Sequence, residues 1–468
     1  MKKQREIRDP IHGFIQRSEL EEKIIDSSVF QRLRGIKQLA LANLVYPGAL
    51  HTRFGHSLGV MYIAGKLSDR LIEEDEIKRI IRLAALLHDI GHGPFSHVSE
   101  ILLDKYYDSV KVKPKSKEKI HELITAEIIQ KNEELASFLS DTDSKQIVSY
   151  LQGEIGESVV KGIISGPLDA DKQDYLLRDS YYSGVKYGIF DMARLIGTLE
   201  SFPQEHDHFL AVSRDGLYVV EQFVLAKYHM TTQVYRHKIR LISDSMIIRG
   251  LELGIEKDKL KFLKKLYRYN GTEEFVKNYI EWDDARLTTE ILNSNEDGFA
   301  KDMFKRLKER KLFKRIFSKS LREFGPEERD LLSNLQRLFK LKQRIEAAIA
   351  SYLAEDLKID IEPYYLIVNV FSIKSVRVQS RDDEGSILVI SDGQPSVFEN
   401  ESTLFRSINE SENDEVVEVY APVVFEDAVR KEKIKDKYRM EIREIIEKIL
   451  KEELNKINKK GGRNDLNR

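Results

Sequence analysis

The stretch IKRIIRLAALLHDIGHGPFSH (77–97) changes character halfway along. Up to Leu87, apolar residues cover most of a helical circumference, the pattern of a buried α-helix. His88, Asp89, His92 and His97 follow at once, interleaved with Gly91, Gly93 and Pro94. Elsewhere, REIRDPIHGFIQ (5–16) sets short apolar pieces around a proline and a glycine, which predicts a strand-and-turn arm. From Asp26 to about Glu200 the periodicity is mostly helical. FLAVSRDGLYVV (209–220) has two β-rich runs around Asp-Gly and predicts a hairpin.

Helical patterning resumes over 220–355, broken at Gly271 and at FGPEE (324–328). YYLIVNVFSIKSVRVQ (364–379), SILVISDG (386–393) and EVVEVYAPVV (415–424) alternate and are β-branched, predicting strands. A last amphipathic helix carries Ile434, Tyr438, Ile442, Ile445 and Ile449 on one stripe, and the tail KKGGRNDLNR (459–468) predicts disorder. The expected organisation is an arm (1–25), a helical core (26–240), a helical extension (241–360), a small α+β part (361–430), and a terminal helix and tail (431–468). The fold class expected is mainly α.

A chain of 468 residues is long enough for two or three packed substructures. No apolar run approaches the ~20 residues that span a bilayer. The N-terminal MKKQREIRDP has no apolar segment behind its basic residues, so no secretory signal is expected. The absence of cysteine excludes disulfides, thiolate zinc sites and cysteine nucleophiles, and fits a cytoplasmic location. With 76 basic against 78 acidic residues, net charge −2, bulk electrostatics do not favour nucleic acid as a ligand, although they admit it. The basic KRLKERKLFKRIFSK (305–319) reads as a solvated helix face.

Polar groups closing a buried helix are costly without partners. HTRFGHSLGV supplies His56 and PLDADKQDYLLRDS supplies Asp171, partners of suitable chemistry for His88 and Asp89. Two imidazoles and two carboxylates form a mixed nitrogen–oxygen donor set, suited to Mn, Fe, Co, Ni or Zn and less to Mg. Adjacent His88 and Asp89 can face one ion only at an irregular helix end, which the glycines of DIGHG permit and Pro94 enforces.

RDPIHGFI, FQRLRGIKQL, YPGALHTRFGHSLGV, HDIGHGPFSH and DADKQDYLLRDS, in that order, resemble the HD-domain phosphohydrolases. Within them the similarity is to the deoxynucleoside triphosphate triphosphohydrolase branch, strong over about 5–240 and thinner beyond. The resemblance implies an HD-domain helical core and the reaction dNTP plus water to deoxynucleoside plus inorganic triphosphate. A divalent metal ion held by His56, His88, Asp89 and Asp171 would serve it. Water is a weak nucleophile at neutral pH, which a bound metal corrects. The leaving 5′-alkoxide needs a proton, which imidazole supplies near pH 7. His92 and His97 are the candidates, with Glu100 as a carboxylate partner and His121 at the phosphates.

Arg53 and Lys172 match the family's phosphate contacts. Asp171, Tyr175 and Asp179 recur every four residues along one helical face. By resemblance, Asp179 and Gln38 hold the 3′-hydroxyl, Tyr175 packs on the ribose and Leu39 crowds a 2′-hydroxyl. In KYHMTTQVYRHK (227–238), Tyr235 falls on a substrate-facing tyrosine. Lys227 there stands where the eukaryotic enzyme has arginine, and Thr231 where it has histidine, so base selectivity at that corner departs from the family.

Family members are tetramers activated by nucleotides bound between subunits. Asp26, Gln31 and Arg34 match residues that read guanine, a carboxylate accepting from N1 and N2 and arginine donating to O6 and N7. Arg5 matches a phosphate-binding lysine, and Lys301 and Lys305 resemble a basic pair at the same phosphates. Arg194 and Arg214 sit where a second activator's triphosphate would lie. A homotetramer activated by dGTP or GTP is therefore expected, although Asp26 also reads as an ordinary helix N-cap. Two other readings compete: an HD-type nucleotidase or phosphodiesterase, and a non-enzymatic nucleotide- or nucleic-acid-binding assembly.

Overall fold

The computed structural model describes residues 5–115, 118–154, 158–204, 206–294, 297–357, 361–373, 386–408, 414–423 and 428–459. It is mainly helical with small sheets. The arm forms as expected: β1 (Glu6–Asp9) and β2 (Gly13–Gln16) pair antiparallel, Ile7 opposite Ile15. Ser18 then opens α1 (Glu19–Asp26) through a capping box with Glu21. The following α2 (Ser28–Gln31) is capped by Ser27, whose hydroxyl accepts the Phe30 N–H. Asp26 is therefore not the cap; it is the exposed last residue of α1.

The helical core comprises α3 (Arg53–Leu71), α4 (Asp75–Leu87), α5 (His97–Tyr106), α6 (Ile120–Lys131), α7 (Glu133–Ala136), α8 (Asp141–Leu151), α9 (Ser158–Ser165) and α10 (Ala170–Ser183). α3 is buried along nearly its whole length and α4 packs beside it with Ile80, Ile81, Leu83 and Leu87 enclosed. α10, begun by an Asp169 side-chain cap on the Lys172 N–H, packs against the other side of α3's polar positions. Apolar helices thus supply rigid walls, and polar groups meet where α3, α4 and α10 converge.

After α11 (Met192–Thr198), β3 (Leu199–Gln204) and β4 (Asp207–Ser213) form an antiparallel pair. The hairpin expected over 209–220 is half right. FLAVS is strand, but Arg214–Gly216 is a single 3₁₀ turn and LYVV begins α12 (Leu217–Met230). The valines mislead because this helix is buried on several sides, with Leu217, Val219, Val220 and Phe223 enclosed, so tertiary packing overrides β propensity. Further strands are β5 (Lys314–Ser320), β6 (Ile367–Ile373), β7 (Leu388–Ser391), β8 (Gln394–Val397) and β9 (Asp414–Ala421). They complete two sheets, β3-β4-β7-β8 and β5-β9-β6. The basic 305–319 stretch is not one helix face: its first residues end a helix at Lys308 and its last form β5.

The chain divides into two compact units: 1–240 with 250–304 and 376–410, and 241–249 with 305–375 and 411–468. The second has its own apolar core, built from β5, β6 and β9 with helices Phe339–Leu357 and Ala428–Lys459. Phe317, Ile345, Leu353, Val417 and Ile442 are fully enclosed there. Of the predicted terminal stripe, Tyr438, Ile442 and Ile449 are buried and Ile445 packs against them. The Ile434 side chain and the tail beyond Lys459 lie outside the described residues. Among the described residues no helix is long and apolar enough to cross a membrane.

Candidate metal centre

His88 ends α4 while still in the helical region, and the chain then turns through Asp89 and Ile90. This puts His88 and Asp89 beside His56 on the first turn of α3 and Asp171 on the first turn of α10. His56 Nε2 lies 2.9 Å from Asp171 Oδ1 and 3.6 Å from Asp89 Oδ2. His88 Nε2 lies 3.2 Å from Asp89 Oδ1 and 3.8 Å from Asp171 Oδ1. The donor atoms of His56, His88 and Asp171 are all within 4.8 Å of one another, close enough to share one ion.

The orientation of both rings is set from behind. His88 Nδ1 is 2.8 Å from the Ala85 carbonyl, which can only accept, so this nitrogen carries the hydrogen. His56 Nδ1 is 2.8 Å from Asp174 Oδ2. His56 Nε2 then faces Asp171, and His88 Nε2 is buried without a hydrogen-bond partner among the described residues, an arrangement suited to a metal-ligating histidine. Burial would lower the His56 pKa, but Asp171 and Asp174 outweigh it and push it up to about 10. Burial likewise opposes ionising Asp171, yet His56 and His88 hold it down to about 2. Imidazole nitrogens facing ionised carboxylates are the donor set a divalent cation satisfies, so these residues fit a metal.

Gly91 shapes the loop that follows. A side chain there would meet the His121 carbonyl at 2.4 Å and Thr125 Oγ1 at 2.3 Å, so glycine alone lets the loop lie on α6. His92 consequently stacks on His121, ring centroids 4.4 Å apart. Its Nε2 is 3.1 Å from Asp89 Oδ1 and its Nδ1 is 3.3 Å from Glu100 Oε1. Burial, reinforced by Arg53, lowers the His92 pKa to about 4, and burial also holds His121 well below its ordinary value. Burial would raise Glu100, but His97, His121 and His92 outweigh it and keep it ionised. His97 is exposed, with Nδ1 2.9 Å from Glu100 Oε1. Phe95 and Ser96 adopt φ of +61° and +53°, a conformation costing non-glycine residues about 1–3 kcal/mol. Asp284 accepts the Phe95 N–H at 2.7 Å, and Ser96 Oγ bridges the Lys37 carbonyl and Arg53 Nε.

Arg53 is buried and donates through Nη1 to Asp89 Oδ2 at 2.5 Å, while its Nη2 has no partner among the described residues. Burial would raise Asp89, but Arg53, His88 and His92 keep its carboxyl well below the usual range. Lys172 donates to Asp169 Oδ2 at 2.7 Å. Two turns along α10, Asp179 accepts from Tyr235 Oη at 2.7 Å and lies 2.7 Å from His51 Nε2. Tyr175 meets Tyr235 edge-on at 6.1 Å. Gln38, with its side-chain oxygen buried and unpartnered, bonds through its backbone to His51, and Leu39 beside it is buried. Tyr235 ends a π-helical turn, Thr231–Tyr235, and Lys227 is half-buried on α12.

The residues expected at the activator site are partly buried or exposed. Gln31 binds the Ile25 carbonyl at 2.8 Å and receives Arg34 Nε at 2.8 Å; Arg34 also lies 3.5 Å over the Phe54 ring. Asp26 is exposed on α1, and Arg5 pairs with Glu22 of the same helix. Arg194 and Arg214 are exposed, engaging the Asp215 carbonyl and Glu401. Lys301 donates to the Ser294 carbonyl, and Lys305, one turn on, is exposed.

Sequence reading does not single out Asp174, Arg178, His51, Asp9 or His12. The last two lie in the RDPIHG piece, and Asp174 and Arg178 are four apart on α10, yet only folding brings them behind His56.

A family model for the HD domain matches residues 53–179, and one for the HD associated region matches residues 190–447. The chain is 32% identical over 450 residues to an uncharacterized protein of Methanocaldococcus jannaschii, covering 95% of this chain and 84% of that one. It is 30% identical over 344 residues to the human deoxynucleoside triphosphate triphosphohydrolase SAMHD1, covering 66% of this chain and 54% of that one. Among solved structures it is similar to a phosphohydrolase from Bacteroides thetaiotaomicron, with TM-score 0.69 and 25% identity over 90% of this chain and 100% of the other.

Proposed function

The chain belongs to the HD-domain family and carries the HD associated region; from that premise we propose that it is a metal-dependent phosphohydrolase acting on deoxynucleoside triphosphates. The observation that carries the reading is the pair of imidazoles, buried His56 and half-buried His88, each held at Nδ1 from behind and aimed at Asp89 and Asp171. These four residues would hold the ion. A divalent cation bound there supplies a water of lowered pKa and polarises a phosphoryl oxygen.

The chain's own groups have the remaining work. Arg53 orients Asp89 and keeps one guanidinium nitrogen for a phosphate oxygen. Asp179, braced by His51 and Tyr235, is an acceptor for a sugar hydroxyl, with the Tyr175 ring alongside for the ribose and Gln38 as a second polar partner. Water adds at the α-phosphorus, the bond to the 5′ oxygen breaks, and triphosphate departs from deoxynucleoside. His97, exposed and oriented by Glu100, gives the 5′ oxygen its proton. His92 and His121, held neutral by burial, hydrogen-bond rather than carry charge at the phosphates.

The same reading includes a homotetramer activated by dGTP or GTP through Arg5, Asp26, Gln31 and Arg34, with Lys301, Lys305, Arg194 and Arg214 at the phosphates. That part of the reading rests on the resemblance of these residues to the family's; Arg34 itself lies over the ring of Phe54, the neighbour of Arg53.

Chromatography of each dNTP incubated with protein and Mn²⁺, Mg²⁺ or Co²⁺, with and without dGTP, tests the reading. Inorganic triphosphate and deoxynucleoside are expected. Orthophosphate or a nucleoside monophosphate would instead indicate a nucleotidase or phosphodiesterase. No turnover with any metal, together with salt-dependent binding of single-stranded nucleic acid, would make the chain a binding assembly. A dGTP-independent rate and an unchanged gel-filtration position would remove the activator site.

A further inference from the structure

His88 has its Nδ1 fixed by its own helix's backbone, but His56 is at the start of α3, and its Nδ1 depends on a side chain from elsewhere. That side chain, Asp174, is fully enclosed and receives several donors. Its Oδ2 accepts from His56 Nδ1 and Arg178 Nε, both at 2.8 Å. Its Oδ1 accepts from Arg178 Nη2 at 2.9 Å and from His12 Nε2 at 2.6 Å. The remaining Arg178 nitrogen donates to Asp9 Oδ2 at 2.8 Å. Asp9 Oδ1 in turn accepts the Ile11 and His12 N–H groups, both at 2.9 Å, and so shapes the β1–β2 turn that presents His12. The His12 ring also stacks on Tyr62 of α3, centroids 4.9 Å apart.

A second observation comes from the glycines of α3. Glycine inside a helix costs about 1 kcal/mol relative to alanine, so its presence needs a reason. A side chain at Gly59, one turn after His56, would sit 1.9 Å from Asp174 Oδ1 and 2.4 Å from Arg178 Nη2. The helix surface is hollowed where this carboxylate and guanidinium must approach. A buried ion pair of this kind is no better for stability than a well-packed apolar pair. Its direction toward His56 is what an apolar pair could not reproduce.

We propose that Asp174 is a positioning residue that fixes the tautomer and aim of His56, and that Arg178, Asp9 and His12 hold Asp174 in place, making the N-terminal hairpin part of the metal centre. The inference rests on the metal-site reading above. A carboxylate behind a ligating histidine fixes its ring and raises its basicity, and losing such a partner costs about 10- to 100-fold in metal affinity.

Mn²⁺ binding to the full chain, followed by electron paramagnetic resonance titration without substrate, is the test. Asp174→Asn is expected to weaken Mn²⁺ binding about 10- to 100-fold. Its hydrolysis should recover toward the wild-type kcat at high Mn²⁺, since the defect is in holding the ion. Asp174→Glu, which keeps the charge, should recover part of the affinity, and His12→Ala, removing one donor, should lose severalfold. Wild-type Mn²⁺ affinity in any of these variants that folds, Asp174→Glu excepted, overturns the proposal. So does failure of every one of them to fold, which would assign the network to the fold alone. Absence of Mn²⁺ binding in the wild-type chain, or wild-type binding in His56→Ala, would instead strike the metal-site reading itself.

Discussion

The second unit and the candidate site of the first treat buried polar groups differently. In the second, Glu346 accepts from Arg249 Nη2 at 2.6 Å and from the Val368 N–H at 3.0 Å. Glu418 there accepts from Ser318 at 3.0 Å and Tyr420 at 2.6 Å, and pairs with Arg315. These groups are closed by protein partners amid an apolar core. At the candidate site, His88 Nε2, His92 Nδ1, His121 Nδ1 and Arg53 Nη2 are equally shielded from water but lack hydrogen-bond partners among the described residues. Such atoms are destabilising unless something else completes them. The candidate site thus gathers polar groups that the fold leaves incomplete, whereas Glu346 and Glu418 are completed by the fold itself.

The largest effect that would sharpen this contrast is catalytic. The double variant His88→Ala/Asp89→Asn should lose turnover by on the order of ten-thousandfold, equivalent to about 5 kcal/mol of barrier, with its circular dichroism retained. Arg249→Ala should do the reverse, lowering stability by about 3–5 kcal/mol in denaturant titration because Glu346 is left buried without its charge partner. Its Mn²⁺ affinity should match wild type; a large drop there would break the division between the two units.

Next comes ligation itself. Mn²⁺ at a hundred times its Kd should stabilise the chain by about 2.7 kcal/mol, seen as a raised thermal midpoint that chelator abolishes and His88→Ala lacks. The smallest effect separates cap from candidate activator contact. Ser27→Ala should cost about 1 kcal/mol, whereas Asp26→Ala should change stability by no more than about 0.5 kcal/mol while weakening activation by dGTP. Equal stability losses in both would return Asp26 to a purely structural role.

How much of this is legible from the chain alone follows from locality. The buried helix ending in HDIGHG, its proline stop and the strand arm depend on near neighbours, and the structure has them where periodicity predicts. The 209–220 hairpin fails because Asp-Gly between β-rich runs is a local signal, whereas the burial that makes 217–230 helical is not. Asp174 and His12 are invisible for the same reason: each is an unremarkable polar residue until a partner more than a hundred residues away arrives. Gly59 is the one trace they leave in the sequence, a helix-weakening residue without a local purpose.

The same separation sets an order of events during synthesis. A ribosome that has just released α4 has made His56, His88 and Asp89, but neither Asp171 nor Asp174 exists yet. The hairpin is made 162 residues before the carboxylate that His12 meets. An ion held there would then load late, once α10 has been made, and a nascent chain stalled before α10 has His88 aimed by its own helix but nothing behind His56.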